Sequence, residues 1–268
     1  MNKTAKNKKF KLTFSRKSLA YPYILFLMIF VVLPLVLILI NAFFADGKLT
    51  FQNFIDFFSD GSGLTVLGNS LVIGFVTTLL CLVLGYPVAY FLSKYHASNK
   101  VLVLLFVLPM WVNFLIRTLS TKAIFLAMDF ELGMGTVVFG MVYNYLPFMI
   151  LPLHTTLSSI SNSYIEASED LGADKLTVLI KTVLPLSVPG IISGITMTFI
   201  PAISTFAISE LLSNRQIYLF GDSINMQFTT GQNFGVGSVM SLIMLVIVVL
   251  GNLVMNKFNK EGNTRSVL

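Results

Sequence analysis

Few residues in this chain have types and spacing that could do chemistry, and most lie in one charged stretch, SYIEASEDLGADKLTVLIKTVLPLS at 163–187. Ser163-x-x-Glu166 fits a capping box, in which hydroxyl and carboxylate reciprocally satisfy the free amides of a helix start. Residues 167–171 continue that short helix, and Gly172 supplies a position able to take positive φ and end it. Residues 173–184 read as a second helix with Leu176, Leu179, Ile180 and Val183 on one face. Pro185 and Pro189 then punctuate the approach to an apolar run. Two short helices hinged at a glycine are marginal alone and need a surface to pack against. Docking, not bond making, is the chemistry they offer.

The remaining reactive types exclude much. No G-x4-G-K-[ST] loop occurs, so the chain has no phosphate cradle for ATP and reads as a non-enzyme. There is no H-E-x-x-H pattern and no Cys/His cluster, so no metal or other cofactor is expected in the chain. His96, in a basic connection, reads as solvated, and His154 as a packed or interfacial side chain. Cys81 is the single cysteine and excludes an intramolecular disulfide.

The elements that must carry the charged stretch are apolar. Of 268 residues 55% are hydrophobic and 11% charged, where about a quarter charged is usual for a soluble domain. The composition is that of an all-α polytopic membrane protein. Residues 1–20 form a basic tail, and 21–44 follow without a charge. That run is too long for a signal-peptide core, and no small-residue cleavage site follows it, so it reads as a retained transmembrane helix. With about 20 apolar residues needed to cross roughly 30 Å of hydrocarbon, six spans are expected near 21–44, 68–92, 101–118, 136–157, 188–208 and 236–256. The third is short between Lys100 and Arg117. Either both cations snorkel or the helix runs into a bent or interfacial segment, with Pro109 placed to kink it.

Six spans divide the connections into two sets, and fourteen of the eighteen Lys and Arg residues fall in the set that includes both termini. Both termini are therefore expected in the cytoplasm, as is the connection 158–187. This asymmetry accounts for the net charge of +6 and calls for no nucleic-acid partner.

Here the residues carry a resemblance. Glu166-Ala167-Ser168-x3-Gly172, with Leu184-Pro185, is similar to the EAA loop of ABC importer permeases, whose pattern is E-A-A-x3-G, nine residues, I-x-L-P. Ser168 replaces the second Ala, and Thr182 stands where the aliphatic residue is expected. NSLVIGFVTTLLCLVLGYPVAYFLSK (69–94), LPMWVNFLIR (108–117), YNYLPFMILPLHTTL (143–157) and IPAISTFAISELL (200–212) resemble the PotB-type permeases of spermidine/putrescine importers. Permeases for iron, thiamine, sulfate or molybdate are the nearest rivals, and the connection 117–136 is shorter than in PotB-type chains.

The resemblance implies a type I permease fold in 21–256, with about 68–256 as the shared core and 257–268 as a cytoplasmic tail. It implies that Glu166, Ala167, Ser168, Asp170, Gly172, Ala173, Leu184 and Pro185 couple the spans to an ATPase. The implied partners are a PotA-like ATPase dimer, which would bind ATP and Mg, a homologous PotC-like permease subunit, a PotD-like extracytoplasmic polyamine-binding protein, and the lipid bilayer. Polyamine cargo would call for aromatic faces and carboxylates, for which Trp111, Asn113, Tyr143, Tyr145, Phe206 and Glu210 are the candidates. Asp46, Asp56 and Asp60 read as solvated residues of the first outer loop. A secondary transporter usually buries ionisable ion sites at the midplane, which the long uncharged runs disfavour. A channel or receptor leaves the EAA-like loop without a use.

Overall fold

The computed structural model describes residues 20–265 except 46, 60, 96–99 and 231–232. The basic tail up to residue 19, Asp46, Asp60 and His96 lie outside the described residues.

Helix α1 (Ala20–Phe43) is exposed along almost its whole length, as a lipid-facing helix is. Its turn Met28–Val32 widens to π geometry just before Pro34, with Leu33 N–H donating to Met28 O. Proline lacks an N–H and crowds the preceding turn, so a wider turn there relieves both defects. A two-residue antiparallel ladder follows, β1 (Phe44–Ala45) with β2 (Lys48–Leu49). It is the one strand pair among the described residues of an otherwise helical chain. Helix α2 (Gln52–Ser59) leads into the long helix α3 (Ser62–Tyr95).

Helix α4 (Lys100–Val107) tightens into a 3₁₀ turn at Leu108–Trp111, and α5 (Phe114–Ala127) then departs at 98°. Helix α6 (Met134–Ser159) precedes the hairpin of α7 (Asn162–Asp170) and α8 (Lys175–Leu186). Helix α9 (Val188–Ser204) leaves α8 at 65°. Two short helices, α10 (Ile208–Leu212) and α11 (Phe220–Thr229), lead to α12 (Phe234–Arg265).

The core is the bundle of α3, α6 and α9. Cys81, Ala89 and Leu92 of α3 pack on Met149, Ile150 and Leu153 of α6. A second cluster joins Ile73, Met141, Ala202, Ile208 and Leu212. A third fastens α1 and α2 to α12 through Ala42, Phe57, Val239 and Met240. Between helices in lipid, association depends on packing and close approach. A Cβ on Gly194 would sit 3.3 Å from Met149 O, so glycine is what lets α9 lie against α6.

Among the described residues four helices are long and apolar enough to cross a membrane, and counting each of two bent pairs as one span gives six. Of the two alternatives for the span at 101–118 the bent one is found: it is two arms, and Arg117 and Thr118 belong to the second. Pro109 lies in the 3₁₀ turn and Asn113 re-caps the chain, its Oδ1 accepting from Leu115 N at 2.8 Å. The second span begins at Ser62 rather than 68, and the last continues through 257–265 as helix. The fifth stops at Ser204, short of 208, because Thr205 is extended and Ala207 is left-handed at φ 68°.

Candidate functional site: a helical hairpin and a cavity

Helix α7 is capped two residues earlier than expected. Ser161, not Ser163, is the N-cap, accepting from Ser163 N at 3.3 Å, so the Ser163/Glu166 box does not form. Ser161 is the last residue with extended backbone, and Ser163 is already inside the helix. At the other end Gly172 has φ +85°. Gly172 N donates to Glu169 O at 2.8 Å and Ala173 N to Ser168 O at 3.1 Å, the paired bonds of a Schellman turn. Asp174 then caps α8, its Oδ1 accepting from Thr177 N at 3.3 Å. Hydrogen bonds from the Thr177 hydroxyl and amide hold its carboxyl below the usual range.

The expected single face of the second helix is corrected as well. Val178 and Val183 are buried and Leu179 packs beside them, whereas Leu176 and Ile180 are exposed. Residues five apart would point roughly 140° apart in an α-helix. Here Leu179–Val183 is a π turn preceding Pro185, with Leu184 N–H donating to Leu179 O, and it brings the two valines to one side. The outer surface carries Glu166, Ala167, Asp170, Gly172, Leu184 and Pro185, with Ser168 and Ala173 half-buried. Leu171, 90% exposed at the tip, and Leu176 make this surface apolar as well as acidic.

The hairpin is tied to the bundle at two points. Lys94 Nζ, at the end of α3, donates to Ile160 O at 3.2 Å and to Asn162 Oδ1 at 3.4 Å. At the α8–α9 bend the buried Ser187 donates its hydroxyl to Leu184 O at 2.8 Å, and Tyr86 OH lies 3.0 Å from the same Oγ. Tyr86 lies in the stretch 69–94 quoted above, but no local signal in the sequence pairs it with Ser187.

A cavity of about 600 Å³ opens where the third span breaks. Trp111, Asn113, Tyr145 and Phe206 line it together. Phe206 stacks edge-on against Phe114, and Tyr145 OH donates to Pro201 O at 3.3 Å. Tyr143 and Glu210 are not among its lining residues. Tyr143 faces a neighbouring apolar cavity, where the Arg117 guanidinium lies 5.7 Å from its ring centroid. Glu210 pairs with Arg215 at 3.0 Å. His154 is half-buried in α6, its Nε2 3.4 Å from Ser158 Oγ.

Three contributors to this region escape a reading of the sequence. Arg117, counted with the outer charges, is buried and borders both cavities. Asn144 is buried and lines one of these cavities with it, donating to Gly140 O at 2.8 Å. Asp222 pins the turn that carries Phe206: Oδ1 accepts from Ala207 N at 2.7 Å, and Oδ2 from Leu219 N at 2.8 Å and from Ser209 Oγ. Next to it, a Cβ on Gly221 would meet Thr205 O and lie 2.6 Å from Ser204 O, so this turn and α11 fit only through a glycine.

The model of the family described as "Binding-protein-dependent transport system inner membrane component" matches residues 81–261. The chain belongs to that family. It is a multi-pass membrane protein, an inner membrane component of a binding-protein-dependent transport system. It is 33% identical over 264 residues to the spermidine/putrescine transport system permease protein PotB of Haemophilus influenzae, covering 89% of this chain and 92% of that one. With the protein of the same name from Escherichia coli K12 it is 33% identical, over 84% and 90% of the two chains. The fold is that of an ABC importer permease. A chain of a bacterial alginate ABC transporter, solved in complex with an alginate pentasaccharide-bound periplasmic protein, superposes with a TM-score of 0.70 at 12% identity, covering 91% of this chain and 93% of that one.

Proposed function

We propose that this permease is the PotB-type subunit of an ABC importer that moves spermidine and putrescine into the cytoplasm by alternating access. The observation that carries the reading is the 33% identity, sustained over 89% of the chain, to a permease named for those polyamines. The cavity suits such cargo. Trp111 and Tyr145 offer aromatic faces to ammonium groups, and Asn144 Oδ1 is a buried acceptor without a donor among the described residues.

The hairpin 158–187 is the part that docks on the cytoplasmic ATPase. Its support is an exposed acidic and apolar surface on a glycine-turned helix pair, tied rigidly to α3 and to the α8–α9 bend. ATP binding in a PotA-like dimer would draw this hairpin toward its counterpart on a PotC-like subunit and tilt the spans between two packed states. A PotD-like protein would deliver cargo from outside. ATP and Mg belong to the ATPase, and this chain makes no covalent chemistry.

The test is uptake of labelled spermidine and putrescine by a host lacking polyamine importers, with the whole operon expressed and with the ATPase subunit deleted. Uptake that requires the ATPase supports the assignment. Uptake of iron, thiamine, sulfate or molybdate in its place sinks the polyamine reading. Orientation is read separately with an impermeant thiol reagent. Asp56→Cys and Asn233→Cys should label from outside and Leu171→Cys only after permeabilisation, with native Cys81 silent because it is buried. The reverse pattern refutes cytoplasmic termini.

A further inference from the structure

Arg117 is 8% exposed, and its Nε and Nη1 have no hydrogen-bond partner among the described residues. It lies level with the interior of α6, well inside that span. Asn144, which reaches Thr118 Oγ1 at 3.5 Å, stands ten residues into α6 from Met134. At 1.5 Å per residue that is about 15 Å of a hydrocarbon layer roughly 30 Å thick. The half-helix α5 also begins there, at Phe114, so its positive amide end and the guanidinium share one place. The ring of Tyr143 at 5.7 Å offsets part of the charge and makes no hydrogen bond to it.

A cation buried at this depth without a counter-charge is strongly destabilising. No acidic residue lines either cavity that Arg117 borders. Glu210 is taken by Arg215, and Asp222 accepts two amides and a hydroxyl. No described residue therefore supplies the missing anion. The cargo proposed above is a polycation and has the wrong sign. Hydrocarbon supplies no charge.

We infer that Arg117 and the amide end of α5 form a carboxylate-binding site, filled in the assembled transporter by an Asp or Glu side chain from the homologous permease subunit across the passage. The second half rests on the permease reading. In the resting transporter the pair closes the passage at the cavity of Trp111 and Tyr145. An arriving ammonium group competes with Arg117 for the carboxylate, beside the free acceptor Asn144 Oδ1. The guanidinium is thus a tethered stand-in for cargo.

The experiment uses the complete complex in nanodiscs of neutral lipid. Arg117→Glu is combined, one at a time, with Arg in place of each acidic residue in the partner permease's spans. Arg117→Glu alone should reduce recovery of intact complex about tenfold or more, and one partner substitution should restore it to within about threefold, the signature of a close charge pair. Arg117→Gln should raise cargo-free ATP hydrolysis several-fold, because the lock is lost without a new repulsion. Rescue by no partner substitution overturns the proposal, as does unchanged complex recovery in Arg117→Glu. Restoration by anionic lipid alone overturns it too and assigns the anion to a headgroup. Complex recovery and cargo-free hydrolysis do not depend on the cargo, so failure of the polyamine reading leaves this test intact.

Discussion

Ser168 Oγ and Thr182 Oγ1 lie 2.8 Å apart, joining the two helices of the hairpin. These are the two positions at which the chain departs from the EAA pattern, and the fold brings them together. Where the pattern has two apolar residues, this chain has a hydroxyl pair. Ser168 Oγ also reaches Tyr164 O at 2.8 Å, so it can donate to the backbone while accepting from Thr182.

The pair predicts a non-additive double mutant. Ser168→Ala or Thr182→Val alone leaves a half-buried hydroxyl with a lost partner, at a cost of about 1 kcal/mol each. The double variant restores an apolar contact and should recover most of that loss. Thermal unfolding of the complex measures it, and simple additivity of the two single losses would show that the hydroxyls do not interact energetically.

Gly172 predicts a graded series. Its φ is +85°, yet a Cβ there would meet nothing within 4 Å, so any penalty is conformational and not steric. An Ala in the left-handed region should cost about 1–2 kcal/mol, Asn less, and β-branched Val more. ATPase co-purification and uptake should fall in the order Asn, Ala, Val. Normal values for Gly172→Val would remove the turn from the coupling pathway.

Tyr86→Phe should loosen the 65° bend between α8 and α9 without opening a void. It deletes only the hydroxyl 3.0 Å from the buried Ser187 Oγ, worth about 1 kcal/mol net. We expect near-normal assembly with reduced uptake per ATP hydrolysed. An unchanged ratio would mean that the hydrogen bond is not used in transmission.

Trp111 and Glu210 should separate. Trp111 lines the cavity and is 79% exposed, so Trp111→Leu should lower spermidine uptake several-fold through loss of a cation–π contact of about 1–2 kcal/mol. Glu210 pairs with an Arg215 side chain that is 76% exposed, and such pairs contribute about 0–1 kcal/mol. Glu210→Gln should therefore change uptake less than twofold. Kinetics at matched expression decide it, and a larger loss in Glu210→Gln than in Trp111→Leu would reverse the assignment.

Membrane class, six apolar segments and the turn at Gly172 were legible in the sequence because each depends on local properties. Hydropathy over about 20 residues sets insertion, and a left-handed backbone position selects glycine wherever it occurs. Even the weakness of the third span was legible, since Lys100, Pro109 and Arg117 crowd it. What only the tertiary structure decided is where its arms go and which side chains meet. The 98° break buries Arg117 beside Asn144, and a π turn rephases Val178 and Val183 toward the core. Tyr86 meets Ser187 across 101 residues of chain, and Arg215 captures Glu210 away from the cavity. Pairing in a low-dielectric bundle is set by which groups the packed helices bring within about 3 Å, and spacing along the chain carries almost none of that information.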